Sequence, residues 1–381
     1  MGLLGLLAAT LIASVSLGAV TVPVDVVWTA VAGHLGVPGV HSDPISDQIV
    51  WTVRVPRALL GALVGAGLAI SGVVIQAVVR NPLGDPYLIG IMPGASLGAV
   101  SVIVLGASAV GGVGLSGAAF AGAMLAFAVV FLLGRHNGQW PPARLVLAGV
   151  AVGYLISSVT FFLQTIATPN QVQRVLFWSL GSVAGASWED LVTLSVVVLA
   201  GSLFLALNGS RLNALSADTE LTATLGINVA RFQLLLMLVV ALVTGSIVAV
   251  AGGIGFVGLV IPHIARLLVG ADHRRVLTIS LLLGAVFLPL ADIAARLLRA
   301  PAELPIGVIT AAVGAPFFLW LLVAGSGRRT RTRVTRQGRS PRAIEPAPPP
   351  RWAQGRSARH CTAVLRGQDL PRRRGLRGGE R

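Results

Sequence analysis

The stretch RVPRALLGALVGAGLAISGVVIQAVVRNPLGDPYLIGIMPGA, residues 54–95, decides how this chain folds. Its residues 58–79 hold no Asp, Glu, Lys or Arg. At about 1.5 Å rise per residue they reach across the roughly 30 Å hydrocarbon core of a bilayer, so they read as a spanning helix. Gly61 and Gly65, with Gly67, Ser71 and Gly72 further on, give that helix a face against which a neighbouring backbone can approach closely. Gln76 is a polar side chain within the span, suited either to an interhelical hydrogen bond or to a ligand contact. Asn81-Pro82-Leu83 ends the helix, because the residue before a proline disfavours the α region, and Pro86 completes a tight turn.

The same test along the chain finds stretches without Asp, Glu or Arg at 1–24, 58–79, 86–134, 145–173, 191–210, 232–265, 276–291 and 304–327. The 86–134 stretch holds two spans, broken at Gly111, Gly112 and Gly114, and 232–265 holds two, broken at Gly252-Gly253. The short 276–291 run continues through Asp292 and Arg296. Ten transmembrane helices follow, an all-α polytopic membrane protein. Composition agrees: 55% of residues are hydrophobic and 11% charged, against roughly 25% charged in soluble domains. Arginines in short loops favour the inside. Arg80, Arg135, Arg144, Arg211, Arg231, Arg266, Arg274 and Arg275 face Arg54, Arg57, Arg174, Arg296 and Arg299 across the membrane, which puts both termini in the cytoplasm. No positive residue precedes the first span, which leaves open a start upstream of Met1.

The 29 basic residues are all arginine. Without lysine there is no Walker-type phosphate loop and no Schiff-base chemistry, so ATP hydrolysis, if it drives this protein, resides on a partner chain. The only cysteine, Cys361, lies near the C-terminus and leaves the body without a disulfide or cysteine–metal site. His263 has no second ligand at helical spacing and reads as structural; no metal or other cofactor is expected. Residues 1–327 hold 13 Arg and 11 acidic residues, whereas 328–381 hold 16 Arg and 3 acidic residues among Pro, Gly and Ser. The body is therefore read as 1–327, and 328–381 as a basic disordered cytoplasmic tail. That tail either is attracted to anionic lipid or RNA, or is an extension without a role; membrane lipid is the expected partner and no specific nucleic acid is.

Arg54-x-Pro56-Arg57, Ser71-Gly72, Gln76 and Arg80-Asn81-Pro82-Leu83 resemble the permease subunits of ABC importers for iron-siderophores, haem and vitamin B12, the FecCD type. The likeness continues through 212–226, through GGIGFVGLVIPHIARLLVGADHRR at 252–275 and through ELPIGVITAAVGAPFFLWLL at 303–322, covering 1–325 in order. It implies the type II ABC importer permease architecture in the inner, cytoplasmic membrane. The partners it implies are a second permease copy or paralogue, two ABC ATPase subunits and an extracytoplasmic substrate-binding protein. The loop holding Leu212, Asn213, Leu215, Asp218, Glu220, Leu225 and Gly226 would couple to the ATPase. Here Asp218 stands where the family commonly has Gly, and Thr222 where it has Ala. Arg54, Arg57 and Arg296 stand where relatives present arginines to the binding protein, although Arg296, four residues after Asp292, is equally placed to pair with it. Glu303 begins the last span, where the helix dipole favours an acid. The translocation pathway is implied between two copies of the fifth span, with Ser157, Ser158 and Thr160 as its mild polar residues.

Ferric siderophore is the expected substrate, with haem or cobalamin as alternatives. An ion-coupled secondary transporter is the competing class, but such proteins place ionisable residues near the bilayer midplane, and most spans here have none. An intramembrane enzyme would need a nucleophile and base or a metal cluster, and the spans contain neither HExxH nor GxSxG.

Overall fold

The computed structural model describes residues 2–18, 20–38 and 42–337. Residues 1–323 form one compact unit and 324–381 a second. Most of the expected tail, 338–381, lies outside the described residues.

The chain opens with α1 (Gly2–Ser16), α2 (Val24–His34) and α3 (Pro44–Asp47). From α3 a π-helical stretch, Gln48–Arg54, runs into α4 (Val55–Val79), so the spanning helix begins earlier than its uncharged run suggests. Arg80 then takes the left-handed conformation (φ 53°) and stops the helix ahead of Pro82. Next come α5 (Ile91–Leu105), α6 (Leu115–Gly134), α7 (Pro142–Thr165), α8 (Pro169–Ser179) and α9 (Trp188–Leu207). Two short helices, α10 (Gly209–Ala217) and α11 (Thr219–Thr224), precede α12 (Val229–Ala251), α13 (Val257–Val269), α14 (His273–Leu297) and α15 (Ile306–Gln337). The described residues contain no β-strand, only an isolated bridge between His136 and Gln139.

Among the described residues six helical stretches are long and apolar enough to cross a membrane and four shorter helices are apolar, a total that agrees with the ten spans expected. The two glycine breaks fall where they were expected: a 3-10 turn at Ala107–Val110 and Gly111–Gly114 separate α5 from α6, and residues 252–256 separate α12 from α13. The protein is a multi-pass membrane protein. Its polar starts are capped in the usual way, with Asn228 accepting from Arg231 N–H at α12 and a Thr168–Gln171 capping box at α8.

α4 is the central post, with 83% of its apolar window buried, whereas α7 has only 22% buried and lies at the periphery. The reason is the small-residue face. A methyl group added at Gly65 would sit inside the van der Waals shell of the Gly284 carbonyl on α14, and one added at Gly72 would strike the Gly258 carbonyl on α13. Apolar side chains gain nothing by leaving lipid for protein, so close backbone packing of this kind supplies the association. Ile70, Val73, Val74, Ile75, Leu236 and Val240 fill the core around it. Tyr87 ties the turn after α4 to the α12–α13 break: its hydroxyl donates to the Ile254 carbonyl (3.1 Å) and accepts from the Ile254 N–H (3.2 Å).

Gly65→Leu should force α4 and α14 apart and sharply reduce accumulation of folded protein in the membrane. Gly61→Ala, whose new methyl would meet the Pro289 ring at an ordinary 3.5 Å, should leave accumulation and melting temperature within a few degrees of the parent.

Candidate transport path and coupling surface

At one end of the bundle, α10 and α11 form a small helical hairpin. Leu212 and Leu215 are each 1% exposed and root α10 in the core, while Asp218, Leu225 and Gly226 lie on the surface. Glu220 falls in α11, where the side chains of 219–221 lie outside the described residues. The two departures from the family pattern meet each other, since buried Thr222 donates through Oγ1 to the Asp218 carbonyl (2.6 Å). Asn213 Nδ2 donates to Asp272 Oδ1 (2.8 Å), and this bond is the main cause holding the Asp272 carboxyl below the usual carboxylate range. Nearby, Arg80 Nη2 donates to the Leu215 carbonyl (3.2 Å). Asn81 Oδ1 accepts from Leu83 N–H (2.9 Å), closing an Asx turn that leaves Asn81, Pro82 and Leu83 exposed. Beyond it, Asp85 accepts from Tyr87 N–H (2.8 Å), and burial pushes its carboxyl up to about 6.

Gln76 proves to be an interhelical bond. Its Oε1 accepts from Arg266 on α13 and its Nε2 donates to the Gly258 carbonyl (3.2 Å). His263 sits edge-on to Phe317, with ring centroids 6.1 Å apart.

At the end away from α10, the three arginines read as docking residues are buried, each less than 10% exposed, and are occupied internally. Arg57 Nη2 lies 2.8 Å from Asp292 Oδ1 and 2.9 Å from Glu303 Oε2, and Arg57 Nη1 donates to Glu303 Oε1 (2.9 Å). Arg296 Nε lies 3.1 Å from Asp292 Oδ2, an ion pair without hydrogen-bond alignment, so the internal pairing expected from the four-residue spacing is present. Its Nη groups donate to the carbonyls of Leu17 (2.7 Å) and Ser14 (2.9 Å). Arg54 donates to the carbonyls of Val15 (2.8 Å), Ser16 (2.9 Å) and Val20. Arg54 and Arg296 thus satisfy the orphan carbonyls at the C-terminus of α1, the end a cation favours. Sequence reading took Glu303 as a helix-dipole residue and missed its pairing with Arg57; the only signal for it was an acid on the same side of the membrane as an unpaired arginine.

Along α7, Tyr154, Leu155, Phe161 and Phe162 are exposed. Ser158 is exposed among them and Ser157 is half-buried, while Thr160 turns inward at 6% exposure and donates to the Ile156 carbonyl (2.9 Å). Past α7, a cavity of about 1000 Å³ is lined by Asn170, Gln173, Arg174, Phe177 and Trp178 of α8 with Ile103 and Leu115. Gln171 is spent holding α8 to α5, donating to the Ile103 (3.0 Å) and Val104 (3.2 Å) carbonyls. That leaves two amides, a guanidinium and two aromatic rings facing a space large enough for a bulky chelate.

The FecCD transport family model matches residues 6–324. The chain belongs to the FecCD transport family. It is similar to the cobalamin import system permease protein BtuC of Halobacterium salinarum, 43% identical over 81% of this chain and 84% of that one. It also resembles the Fe(3+)-citrate import system permease protein YfmD of Bacillus subtilis, 40% identical over 73% of this chain and 82% of the other. Among solved structures it matches an ABC transporter assigned to the metal-chelate type and captured inward-facing, with TM-score 0.74 and 35% identity over 85% of this chain and 98% of that one. This FecCD chain therefore has the fold of an ABC importer permease.

Arg57→Ala would leave Asp292 partly unpaired in a buried site and should cost about 3–5 kcal/mol of stability. Glu303→Gln, at a side chain 41% exposed, should cost under about 1 kcal/mol. Thermal melts of the two purified variants in one detergent compare these losses directly.

Proposed function

We propose that this chain is the membrane-spanning subunit of an ATP-driven importer of ferric siderophores and works as a dimer with a second permease copy or a paralogue. Two ABC ATPase subunits sit on the α10–α11 face, which is cytoplasmic along with both termini. A substrate-binding protein sits on the opposite, extracytoplasmic face. The observation that carries the reading is the α10–α11 hairpin. It pairs rooted leucines with an exposed rim, and a neighbouring chain could grip and move such an element without unfolding it. ATP chemistry belongs to the partner, since this chain has no lysine for a phosphate loop.

Arg54, Arg57 and Arg296 then serve the binding protein by fixing the shape of the rim on which it rests, because their guanidinium groups are already bound within the subunit. The pathway runs along α7 and the α8 cavity, past Ser157 and Ser158. Thr160, bonded back to its own helix, supports that wall from behind. Arg174 with Asn170 and Gln173 suits an anionic, oxygen-rich ferric chelate better than a neutral passenger. The relatives named for cobalamin and for ferric citrate fit the same class of bulky metal chelates.

Tagged protein solubilised in mild detergent should carry an ABC ATPase with it, read by mass spectrometry; a preparation free of ATPase even after crosslinking would refute the assignment. With the recovered partners in liposomes, a ferric siderophore should be taken up in preference to haem and cobalamin. Replacing 212–226 with a Gly/Ser linker should abolish ATP-driven uptake. Arg174→Glu should slow ferric siderophore uptake on the order of 10-fold at low salt and leave cobalamin uptake, if any, little changed. Equal effects on both would remove Arg174 from the selectivity of the path.

A further inference from the structure

The hairpin is not attached to the bundle by its chain connections alone. Asn213, halfway along α10, uses both ends of its amide on residues 59 and 60 positions away. Its Nδ2 donates to Asp272 Oδ1 (2.8 Å), and its Oδ1 accepts from the His273 backbone N–H (2.8 Å) and lies 2.8 Å from His273 Nδ1. Because the backbone N–H can only donate, the amide orientation is fixed, and His273 carries a proton on Nδ1 to complete the third bond. Asp272 is meanwhile the N-cap of α14, accepting from Arg274 N–H (3.1 Å). Gly209 at the start of α10 packs against Arg274, leaving no room for a side chain. A second tie runs from Arg80 at the end of α4 to the Leu215 carbonyl.

Both ties therefore end on the helices whose backbones touch at Gly65 and Gly284. Those helices are joined again at their far ends by Arg57 and Asp292. From His273 to Asp292 is 19 residues, roughly 29 Å of helix. Coupling over such distances travels through packed rigid elements and hydrogen-bond networks.

We propose that Asn213 is a positioning residue for energy coupling: with Arg80 it clamps α10 to α14 and α4, so that the three helices move as one body and displacement of α10 reaches the Arg57–Asp292–Glu303 cluster at the other end of the bundle. This rests on the reading of α10–α11 as the ATPase-coupling element. The clamp uses a side-chain amide, which donates to a carboxylate and accepts from a helix N-terminus at once.

The test uses the full chain with its co-purified ATPase in liposomes, in a Cys361→Ser background, with an environment-sensitive fluorophore on Leu298→Cys, an exposed position just past the end of α14. ATP with orthovanadate should change the emission. Asn213→Asp sets two carboxylates against each other and should reduce that change on the order of 10-fold while the ATPase remains bound. The exchange Asn213→Asp with Asp272→Asn restores one amide and one carboxylate and should bring the change back. An undiminished response in Asn213→Asp, or no recovery in the exchanged pair, overturns the clamp. If Asn213→Asp does not accumulate, Asn213→Gln, one methylene too long, is read instead; a full response there overturns the clamp equally. Failure of the underlying coupling reading shows separately, as loss of the ATPase from the chain with Asn213 intact.

Discussion

The backbones of α4 and α14 touch at Gly65 and Gly284, and most of what the molecule does depends on that approach. In lipid there is no hydrophobic gain from hiding leucine, so helices associate where their surfaces let backbones come close. Once α4 and α14 lie together, Arg57 of α4 falls within reach of Asp292 of α14 at one end. At the other, Arg80 and Asp272 each hold α10 by a hydrogen bond. A methyl group in the middle would separate both pairs of partners at once, which makes one glycine contact a condition for two polar sites a helix length apart.

The charged end shows how such a bundle carries ions near a membrane edge. Three guanidinium groups and two carboxylates sit together: Arg57 is held by the two acids, Arg54 by helix carbonyls and Arg296 by both kinds of group. Burying charge without partners costs far more than a pair returns, so this grouping is stable only as a set. Among the described residues Arg54 pairs with no acid, and it is bound to the last carbonyls of α1. It joins the first helix to the cluster through groups that a helix end would otherwise leave unsatisfied. Asp292 of α14, shared between Arg57 and Arg296, holds α4 to α14; Arg296 fastens the end of α1 to α14, and Arg57 holds Glu303, just ahead of α15, to α4. A fully paired acid at that position is poorly placed to load and release an ion, which weighs against the ion-coupled alternative.

The spans were legible because membrane helices state themselves in composition, and the glycine breaks inside 86–134 and 232–265 were legible because glycine and irregular backbone go together. The early start of α4 was not, because Arg54 and Arg57 ended the uncharged run while their partners lay more than 230 residues away for Arg57 and on α1 for Arg54. Local spacing could show only the pair four residues apart, Asp292 and Arg296. Gln76 illustrates the same limit from the other direction: its polarity in a span suited either a bond or a ligand contact, and only the packing of α13 against α4 named Arg266 as the partner. Asn213 was picked out by family likeness as part of a surface loop, and the structure turns its amide inward to Asp272 and His273.

A face pressed to lipid and a face pressed to a second subunit are equally apolar, so exposed Tyr154, Leu155, Phe161 and Phe162 do not by themselves distinguish the two. Polar atoms do. Lipid offers no partner to a hydroxyl, amide or guanidinium, so these groups belong where water or another chain can reach them. On α7 and α8 they gather at Ser158 and at the cavity of Asn170, Gln173 and Arg174, whereas the exposed part of α9 carries Glu189 and Thr193 near its start and then presents Val196, Leu199 and Leu203. On the proposed pathway, the α7–α8 side faces the water-filled passage and the apolar stripe of α9 faces lipid. In the proposed dimer, a passage walled on one side by this face would find its second wall in the same face of another permease copy, with the same chemistry.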